Sequence, residues 1–217
     1  MDRHDSKLEQ LTFVHRFKPG TGSTTLLLFH GTGGDENDLL ELGQTIDPNA
    51  ALLSPRGKVL ENGAPRFFRR LAEGIFDELD VIRRATELAE FVQRAVDRYE
   101  LDPAGLVAVG YSNGANIAAA ILLLGVASFR RAILFRPMVP LSALDRQPDL
   151  SSTRVLLAAG KFDPIARADI VTTLGGLLRG AGARVDVHMA PAGHELSSAD
   201  VTTARDWLIG STTANPL

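Results

Sequence analysis

One serine in this chain of 217 residues lies in a setting that could make it a nucleophile. Ser112 is the centre of a Gly-Tyr-Ser-Asn-Gly pentad at residues 110–114. An apolar run rich in valine precedes the pentad and small residues follow it, which predicts a strand, a sharp turn and a helix. Such a turn needs neighbours without side chains, and it lifts the serine hydroxyl to where a base can reach it. The alternative is an inert serine in a glycine-rich turn.

Two further residues with suitable chemistry follow Ser112, each just after a predicted strand. Asp163 comes after the apolar run at 153–160, and His194 comes after the run at 184–189. A histidine can take up a proton near neutral pH, and a carboxylate can fix its tautomer. The order Ser, Asp, His is that of α/β hydrolases. Ser112, Asp163 and His194 are therefore predicted to form a catalytic triad.

Other acids and histidines compete for these roles, but their positions fit less well. Asp186 and His188 lie within a predicted strand and are interpreted as structural. His30 is interpreted as a structural histidine that holds the loop after it. The remaining candidates precede the core of the sheet, lie in a predicted helix or follow the histidine loop: His4, His15, Asp169, Asp200 and Asp206.

A glycine-rich segment at residues 30–36 follows another continuous apolar run. Open α/β sheets bind ligands at the carboxyl ends of their strands. Gly31 and Gly33 leave main-chain groups uncovered and would let a substrate approach closely. The main-chain N–H groups of Thr32 and of Asn113, just after the nucleophile, are predicted to form the oxyanion hole. The alternative is a plain turn with a helix cap.

The elements that must position these residues alternate along the chain between strand and helix patterns. This alternation predicts one mostly parallel sheet with helices on both faces. The helix at 77–99 is amphipathic, with an apolar stripe that includes Leu79, Ile82 and Val96. Strands are predicted at 11–17 (an edge strand), 24–29, 50–55, 105–110, 130–135, 153–160 and 184–189. The other helices are predicted at 35–43, directly after the serine turn, at 166–178, and from the end of the loop at 191–196 through Leu208.

The segment at 56–76 has no clear periodicity and combines bulky aromatic residues with arginines. We expect it to be an irregular loop that covers the site and shapes the substrate pocket. Its arginines either bind an anionic or electron-rich group of the substrate or pair with nearby acids. The predicted substrate-binding residues are Gly31, Gly33, Arg66, Phe67, Phe68, Arg69, Tyr111 and Ile165.

Composition narrows the classes of function. The chain has 23 Lys and Arg, 26 Asp and Glu, and a net charge of −3, which gives no basis for nucleic-acid binding. It has no cysteine, which excludes disulfides, thiolate nucleophiles and cysteine-ligated metal sites. No metal or other cofactor is expected, and the expected partner is a small-molecule ester.

Length and hydropathy bound the organisation of the chain. We expect one domain over 1–217, with mobile ends at 1–8 and 211–217. The longest apolar run, 117–126, is too short to span a bilayer, and no signal peptide is evident, which predicts a cytoplasmic protein without membrane association. The connection at 136–152 is too short for a separate cap domain.

At these motifs the chain resembles the small serine esterases of the phospholipase/carboxylesterase family, which includes the acyl-protein thioesterases. The resemblance covers nearly the whole chain. It implies nucleophile Ser112, acid Asp163, base His194 and oxyanion donors Thr32 and Asn113, and it leaves a homodimer open. The matching motifs are His-Gly-x-Gly at 30–33, Gly-x-Ser-x-Gly at 110–114, Asp-Pro at 163–164 and Gly-His-Glu at 193–195.

Within that family, the segments 57–63, 66–70 and 111–116 look most like a bacterial branch linked to quinone and hydroquinone responses. Acyl-protein thioesterases usually carry Gly-Phe-Ser-Gln-Gly-Gly where this chain has Gly-Tyr-Ser-Asn-Gly-Ala at 110–115. This difference argues against long-chain thioesters as substrates. Dienelactone hydrolases share the fold but need a cysteine. We therefore expect a serine carboxylesterase for short-chain or aromatic esters. An acyl-protein thioesterase or lysophospholipase, and a receptor of this fold with little turnover, are the alternatives.

Overall fold

The computed structural model describes residues 11–144 and 146–213, of which 211–213 are described by their main chain alone. Their strands, in chain order, are β1 His15–Lys18, β2 Thr25–Phe29, β3 Ala51–Pro55, β4 Val59–Glu61, β5 Ala64–Arg66, β6 Arg70–Ala72, β7 Ile75–Phe76, β8 Leu106–Tyr111, β9 Arg131–Phe135, β10 Arg154–Gly160 and β11 Arg184–Ala190. Their α-helices are α1 Leu40–Ile46, α2 Glu78–Tyr99, α3 Asn113–Leu123, α4 Ala168–Gly180 and α5 Ser198–Thr213.

Seven of these strands form the central sheet in the order β1-β3-β2-β8-β9-β10-β11. Every neighbouring pair is parallel except β1 and β3, which are antiparallel. The inner strands are continuous apolar runs because helices cover both of their faces. The predicted α/β sheet with a half-exposed first edge strand is confirmed. The parallel strands deliver four loops to one edge of the sheet, after β2, β8, β10 and β11.

The helices form a layer on each face of the sheet. Alternate residues of β2 show this division, since Leu27 and Phe29 contact the core under α2, α3 and α4. Leu26 and Leu28 contact the second core, under α1 and α5. Each strand therefore connects the two cores, and the loops at its carboxyl end are held by packing on both sides.

Helix α2 is the predicted amphipathic helix, but its apolar face is rotated at the start. Leu79 and Ile82 are exposed, and Asp80 and Val81 are buried in their place. The buried stripe runs instead through Val81, Ala85, Leu88 and Val92, at spacings of three and four residues, and leaves Leu79 and Ile82 in solvent. Asp80 lies beside this stripe, where its carboxylate accepts the main-chain N–H of Arg69.

The segment at 56–76 forms two small hairpins instead of the predicted irregular loop. Strands β4 and β5 pair around Asn62 and Gly63, whose φ values are 52° and 85°. An Asn-Gly pair with two positive φ angles is the preferred two-residue hairpin turn. Strands β6 and β7 pair around a second turn that contains Gly74. The Asn-Gly dipeptide is the signal that could have identified the first hairpin.

Two other expectations concern connections. Between β9 and β10, the described residues 136–144 and 146–153 contain no helix or strand, in agreement with the absence of a cap domain. Helix α1 begins at Leu40 and not at the predicted residue 35, because the Asp35 carboxylate accepts the Asn37 N–H at 2.8 Å and forms a turn.

The two chain ends are only partly covered by the description. Residues 1–8 and 214–217, where mobile ends are predicted, lie outside the described residues. Helix α5 continues through Thr213, five residues beyond the predicted end at Leu208. In residues 11–144 and 146–213, no helix has the length and apolar character needed to cross a membrane.

Candidate active site

The turn between β8 and α3 holds Ser112 in a strained conformation. Its φ is 51° and its ψ is −113°, which a residue with a side chain rarely adopts. A Cβ at Gly110 would lie 2.5 Å from the carbonyl oxygen of Gly114, and one at Gly114 would overlap the carbonyl oxygen of Phe29. Both glycines are required for this turn, as the pentad predicts. The Ser112 N–H donates to the Phe135 carbonyl at 2.9 Å, which ties the turn to β9.

The three predicted triad residues meet in one hydrogen-bonded chain. The Ser112 hydroxyl lies 2.9 Å from His194 Nε2, and His194 Nδ1 lies 2.8 Å from Asp163 Oδ2. With the proton on Nδ1, the imidazole donates to the carboxylate and accepts the serine hydroxyl. This is the arrangement that lets a histidine remove the proton of a serine during nucleophilic attack.

Asp163 is positioned by the chain that follows it. Its side chain is fully buried, and its second oxygen, Oδ1, accepts the N–H groups of Ile165 and Ala166 at 2.8 and 3.0 Å. The carboxylate therefore has one oxygen for its own loop and one for His194. This division holds Oδ2 towards the imidazole.

The glycine-rich loop after β2 is shaped by His30. The buried imidazole donates from Nδ1 to the Gly31 carbonyl at 2.6 Å and accepts the Gly57 N–H at Nε2 at 2.9 Å. Burial lowers the pKa of His30, which favours the neutral ring that these two bonds need. His30 therefore holds the loop, as the sequence indicates.

Thr32 and Asn113, the predicted oxyanion donors, both line the cavity beside Ser112. The Thr32 hydroxyl accepts a hydrogen bond from Arg66 Nη1 at 2.9 Å. The buried Asn113 side chain accepts the Phe67 N–H at 2.7 Å. Contacts from the hairpin segment therefore hold both positions, and their main-chain N–H groups need no particular side chain to act.

Ser112 and His194 lie on the wall of a cavity of about 350 Å³. Of the predicted substrate-binding residues, Arg66, Tyr111 and Ile165 also line it. The other lining residues come from the second hairpin, from α3 and from the segment after β9: Arg70, Glu73, Gly74, Phe76, Asn116 and Met138. Arg70 is among the arginines expected either to bind a substrate group or to pair with an acid, and the other five were not predicted.

Phe67 and Phe68 correct the prediction that they shape the pocket. They are 2% and 0% exposed and lie in the core instead of on the cavity wall. Phe67 packs against Phe29 and His30, and Phe68 packs edge-on against Phe76 at 5.2 Å between ring centres. The two side chains anchor the hairpins to the sheet. Phe76 contributes the aromatic surface of the cavity in their place.

Arg69 and the two loop glycines also have other tasks than those predicted. Arg69 points away from the cavity and pairs with Asp77 at 2.6 Å, as the alternative interpretation of the arginines has it. Gly31 leaves room for the Tyr111 ring, which a Cβ would approach to 2.8 Å. Gly33, with φ 85°, donates its N–H to the Pro65 carbonyl at 2.9 Å. These glycines shape the loop and do not line the cavity.

Arg66 and Arg70 remain at the cavity, and both pair with Glu61. The distances to its carboxylate are 3.1 and 2.9 Å. Burial lowers the pKa of Arg66, and the Glu61 carboxylate acts in the opposite direction. Glu73 also lines the cavity. The positive charges of the two arginines are therefore nearly balanced by the negative charges of Glu61 and Glu73.

Tyr111 is the last residue of β8 and contacts His194. Its hydroxyl donates to the His194 carbonyl at 3.1 Å, and the two rings are 5.6 Å apart between centres. Burial raises the pKa of the Tyr111 hydroxyl, so that it stays a donor.

In the described ranges, 11–144 and 146–213, no group of three or more His, Asp or Glu side chains could hold a metal ion.

The comparisons with known proteins identify the family of the chain. No family model matches the chain. MhqD of Bacillus subtilis (strain 168), named as a candidate hydrolase, is 45% identical over 193 residues, which is 89% of this chain and 96% of that protein. A carboxylesterase from Bacillus cereus superposes with a TM-score of 0.89 at 45% identity, over 92% of this chain and 95% of that one. A carboxylesterase from Mesorhizobium loti gives 0.88 at 32% identity, over 93% and 97%. The chain belongs to the phospholipase/carboxylesterase family of α/β hydrolases.

Proposed function

We propose that this serine esterase hydrolyses small carboxylic esters, short-chain or aromatic, through the triad Ser112, Asp163 and His194. The observation that carries the proposal is the unbroken chain of hydrogen bonds at 2.8 and 2.9 Å from carboxylate to imidazole to serine hydroxyl. It ends at a cavity of about 350 Å³, in which the ester would lie.

The first half of the reaction forms an acyl-enzyme. Ser112 Oγ attacks the carbonyl carbon of the ester while its proton moves to His194 Nε2. The carbonyl oxygen becomes negative and accepts the main-chain N–H groups of Thr32 and Asn113. The bond to the alcohol oxygen then breaks, and that oxygen takes the proton from His194 and leaves as the alcohol.

The second half returns the enzyme to its starting state. A water molecule takes the place of the alcohol and gives a proton to His194 Nε2 as its oxygen attacks the acyl carbon. The negative charge forms at the same donors. Breaking of the bond to Ser112 Oγ, with return of the proton from His194, releases the carboxylic acid. Asp163 stabilises the imidazolium in both halves.

The shape of the cavity supports small substrates. Its apolar surface comes from Phe76, Met138 and Ile165, and the Arg66 side chain forms part of its wall. A volume of about 350 Å³ is near the lower limit of ordinary ligand pockets, about 300 Å³. An acetyl, butyryl or benzoyl group fits this space better than a long acyl chain.

The test is a series of p-nitrophenyl esters of rising chain length, with wild type beside Ser112→Ala. We expect the rate to be highest for short chains or for the benzoate, and kcat to fall by roughly 10⁴-fold or more in Ser112→Ala. Ser128→Ala, at a half-buried serine that does not line the cavity, is the matched control. Turnover that survives in Ser112→Ala would overturn the nucleophile. A maximum at long chains would favour a thioesterase or lysophospholipase, and tight binding without a burst would favour a receptor.

Three expectations from the sequence lie outside this test and stay predictions. They are a cytoplasmic location, the absence of nucleic-acid partners and the homodimer left open by the family resemblance.

A further inference from the structure

Arg136 is a buried arginine beside the triad that the proposed mechanism does not use. It directly follows β9, its φ is 53°, and its side chain is 0% exposed. A charged side chain is rarely buried to this extent unless every polar group has a partner. The contacts of this guanidinium therefore show what it does.

All five N–H groups of the Arg136 guanidinium have acceptors. Nε donates to the Gly193 carbonyl at 2.9 Å, and Nη2 donates to the Glu195 carbonyl at 2.7 Å. Nη1 donates to the Ala158 carbonyl of β10 at 3.1 Å. The remaining two donate to the Asp200 carboxylate at 3.0 and 2.7 Å. The Gly193 and Glu195 carbonyls lie on either side of His194 in the chain.

Asp200 fastens the far end of the same loop. Its buried carboxylate accepts the N–H and the hydroxyl of Ser197 at 2.8 and 2.7 Å, at the start of α5. Burial alone would raise the pKa of Asp200, but hydrogen bonds from Arg136 and Ser197 hold it below its ordinary value. The carboxylate therefore stays charged and keeps its pair with Arg136 near neutral pH.

The adjacent residue connects this pair to the nucleophile. The Phe135 carbonyl accepts the Ser112 N–H at 2.9 Å. Consecutive residues at the end of β9 thus hold the serine turn through one contact and the histidine loop through several. The loop from 191 to 197 has no helix or strand of its own, so its position depends on these contacts together with the Tyr111 hydrogen bond to the His194 carbonyl.

We propose that Arg136, held by Asp200, is a positioning residue that fixes the loop of His194 so that the imidazole reaches Ser112 and Asp163 together. The proposal rests on the assignment of His194 as the base. Lysine could not replace Arg136, because an ammonium has three donors and cannot match five acceptors in one plane. Specific placement, and not charge alone, is what the site requires.

The test begins with Arg136→Lys and Asp200→Asn in steady-state kinetics on the short-chain p-nitrophenyl ester. We expect kcat to fall by about 100-fold, the scale for a small misplacement of a catalytic group. KM should stay near the wild-type value, since neither side chain lines the cavity. The matched control is Asp80→Asn, a carboxylate that is also buried and paired with arginines near a helix start. It should lower the melting temperature yet leave kcat of the folded enzyme unchanged.

A double-mutant cycle separates positioning from general loss of structure. If Arg136 acts through His194, Arg136→Lys should reduce the residual rate of His194→Ala by less than twofold, because no base remains to be placed. The same 100-fold loss in both backgrounds would overturn the proposal. If Arg136→Lys does not fold, Asp200→Asn, which keeps the shape of the side chain, goes through the same cycle with the same two outcomes.

The double variant with Arg136→Met and Asp200→Asn, which removes both charges, is a second way to distinguish positioning from a loss of stability. Replacing both members of a buried ion pair can restore stability. Restored melting temperature with kcat still low supports positioning, and restored kcat overturns it. The activity of Ser112→Ala is measured independently of these variants. If activity depends on Ser112 but the cycle shows the same 100-fold loss in both backgrounds, the positioning role of Arg136 is rejected and the esterase function stands.

Discussion

Asp163 shows how one side chain can serve the fold and the proposed chemistry together. Oδ1 caps the turn at Ile165 and Ala166, and Oδ2 faces His194. A neutral amide of the same shape keeps the size of the group. It can also present an N–H₂ donor to the imidazole, and this favours the tautomer with its proton on Nε2, which cannot accept from the serine.

We therefore predict that Asp163→Asn lowers kcat on short-chain esters by roughly 10⁴-fold, with a much smaller change in KM. Steady-state kinetics, with folding checked by circular dichroism, measures this. Asp169 is an exposed acid on α4 that pairs with Arg167. Asp169→Asn is therefore the control and should keep the wild-type rate. A loss below tenfold in Asp163→Asn would assign the acid to another residue.

The hydroxyl of Thr32 connects the predicted oxyanion loop to the first hairpin through Arg66. Arg66 and Arg69 lie three residues apart, but only Arg66 has its guanidinium at the cavity, and Arg69 pairs with Asp77. Conservative changes at these two positions therefore compare support of the loop with a surface ion pair.

Arg66→Lys should lower kcat because the lysine ammonium cannot hold Thr32 and Glu61 together as the guanidinium does. The loss should stay below the roughly 100-fold that complete removal of an oxyanion donor costs. Arg69→Lys should keep the wild-type kcat. The measurement is kcat and KM on the same ester for both variants. Equal kinetics for Arg66→Lys and wild type would remove Arg66 from the support of this loop.

At the scale of elements, the turn between β8 and α3 depends on close approach of main chains. A Cβ at Gly114 would overlap the carbonyl oxygen of Phe29, which is a main-chain atom of β2 and cannot move aside as a side chain can. Gly176, in the middle of α4, has nothing within 4 Å of an added Cβ and is exposed. The two glycines thus occupy opposite environments.

Gly114→Ala should prevent folding or lower the yield of folded protein severely, because β2 and α3 would have to separate. Gly176→Ala should raise the free energy of unfolding by about 1 kcal/mol, the difference in helix propensity between glycine and alanine. Urea unfolding followed by circular dichroism measures both. A Gly114→Ala protein with wild-type stability and activity would contradict the packing described for this turn.

At the scale of the whole molecule, buried ionisable groups make stability depend on pH. Burial lowers the pKa of His30 below 6.5. Hydrogen bonds from Arg83 and Arg69 hold the pKa of Asp80 below 3.8, against the opposing effect of its burial. In both cases the unfolded chain binds the proton more readily. Stability from these groups is therefore present above the unfolded pKa and is lost as pH falls through the folded value.

We predict that the free energy of unfolding declines in two stages on acidification, first below about pH 6.5 and again below about pH 4. His30→Gln should flatten the first stage and leave the second. Asp80→Asn should flatten part of the second and leave the first. Urea titrations between pH 3 and 8 provide the measurement. A stability that rises as pH falls from 7 to 5 would contradict the assignment of His30 as a buried neutral ring.

Local sequence patterns determined the sheet, the elements that carry the proposed triad and the strand ends at which its three residues lie. Strand periodicity, the glycines around Ser112, and the order in which Asp163 and His194 follow strands all depend on residues near each other in the chain. The Asn-Gly dipeptide at 62–63 is equally local, and it is typical of the two-residue turn that closes the first hairpin.

Only the tertiary structure decided which side chains of the hairpin segment line the cavity and what holds the histidine loop. Phe67 and Phe68 fill the core because the sheet beneath them leaves apolar space there, whereas Phe76 lies at the cavity. Arg136 meets Asp200 across 64 positions of sequence. Such contacts depend on how β9, β11 and α5 come together, and the periodicity of any one segment contains no information about that.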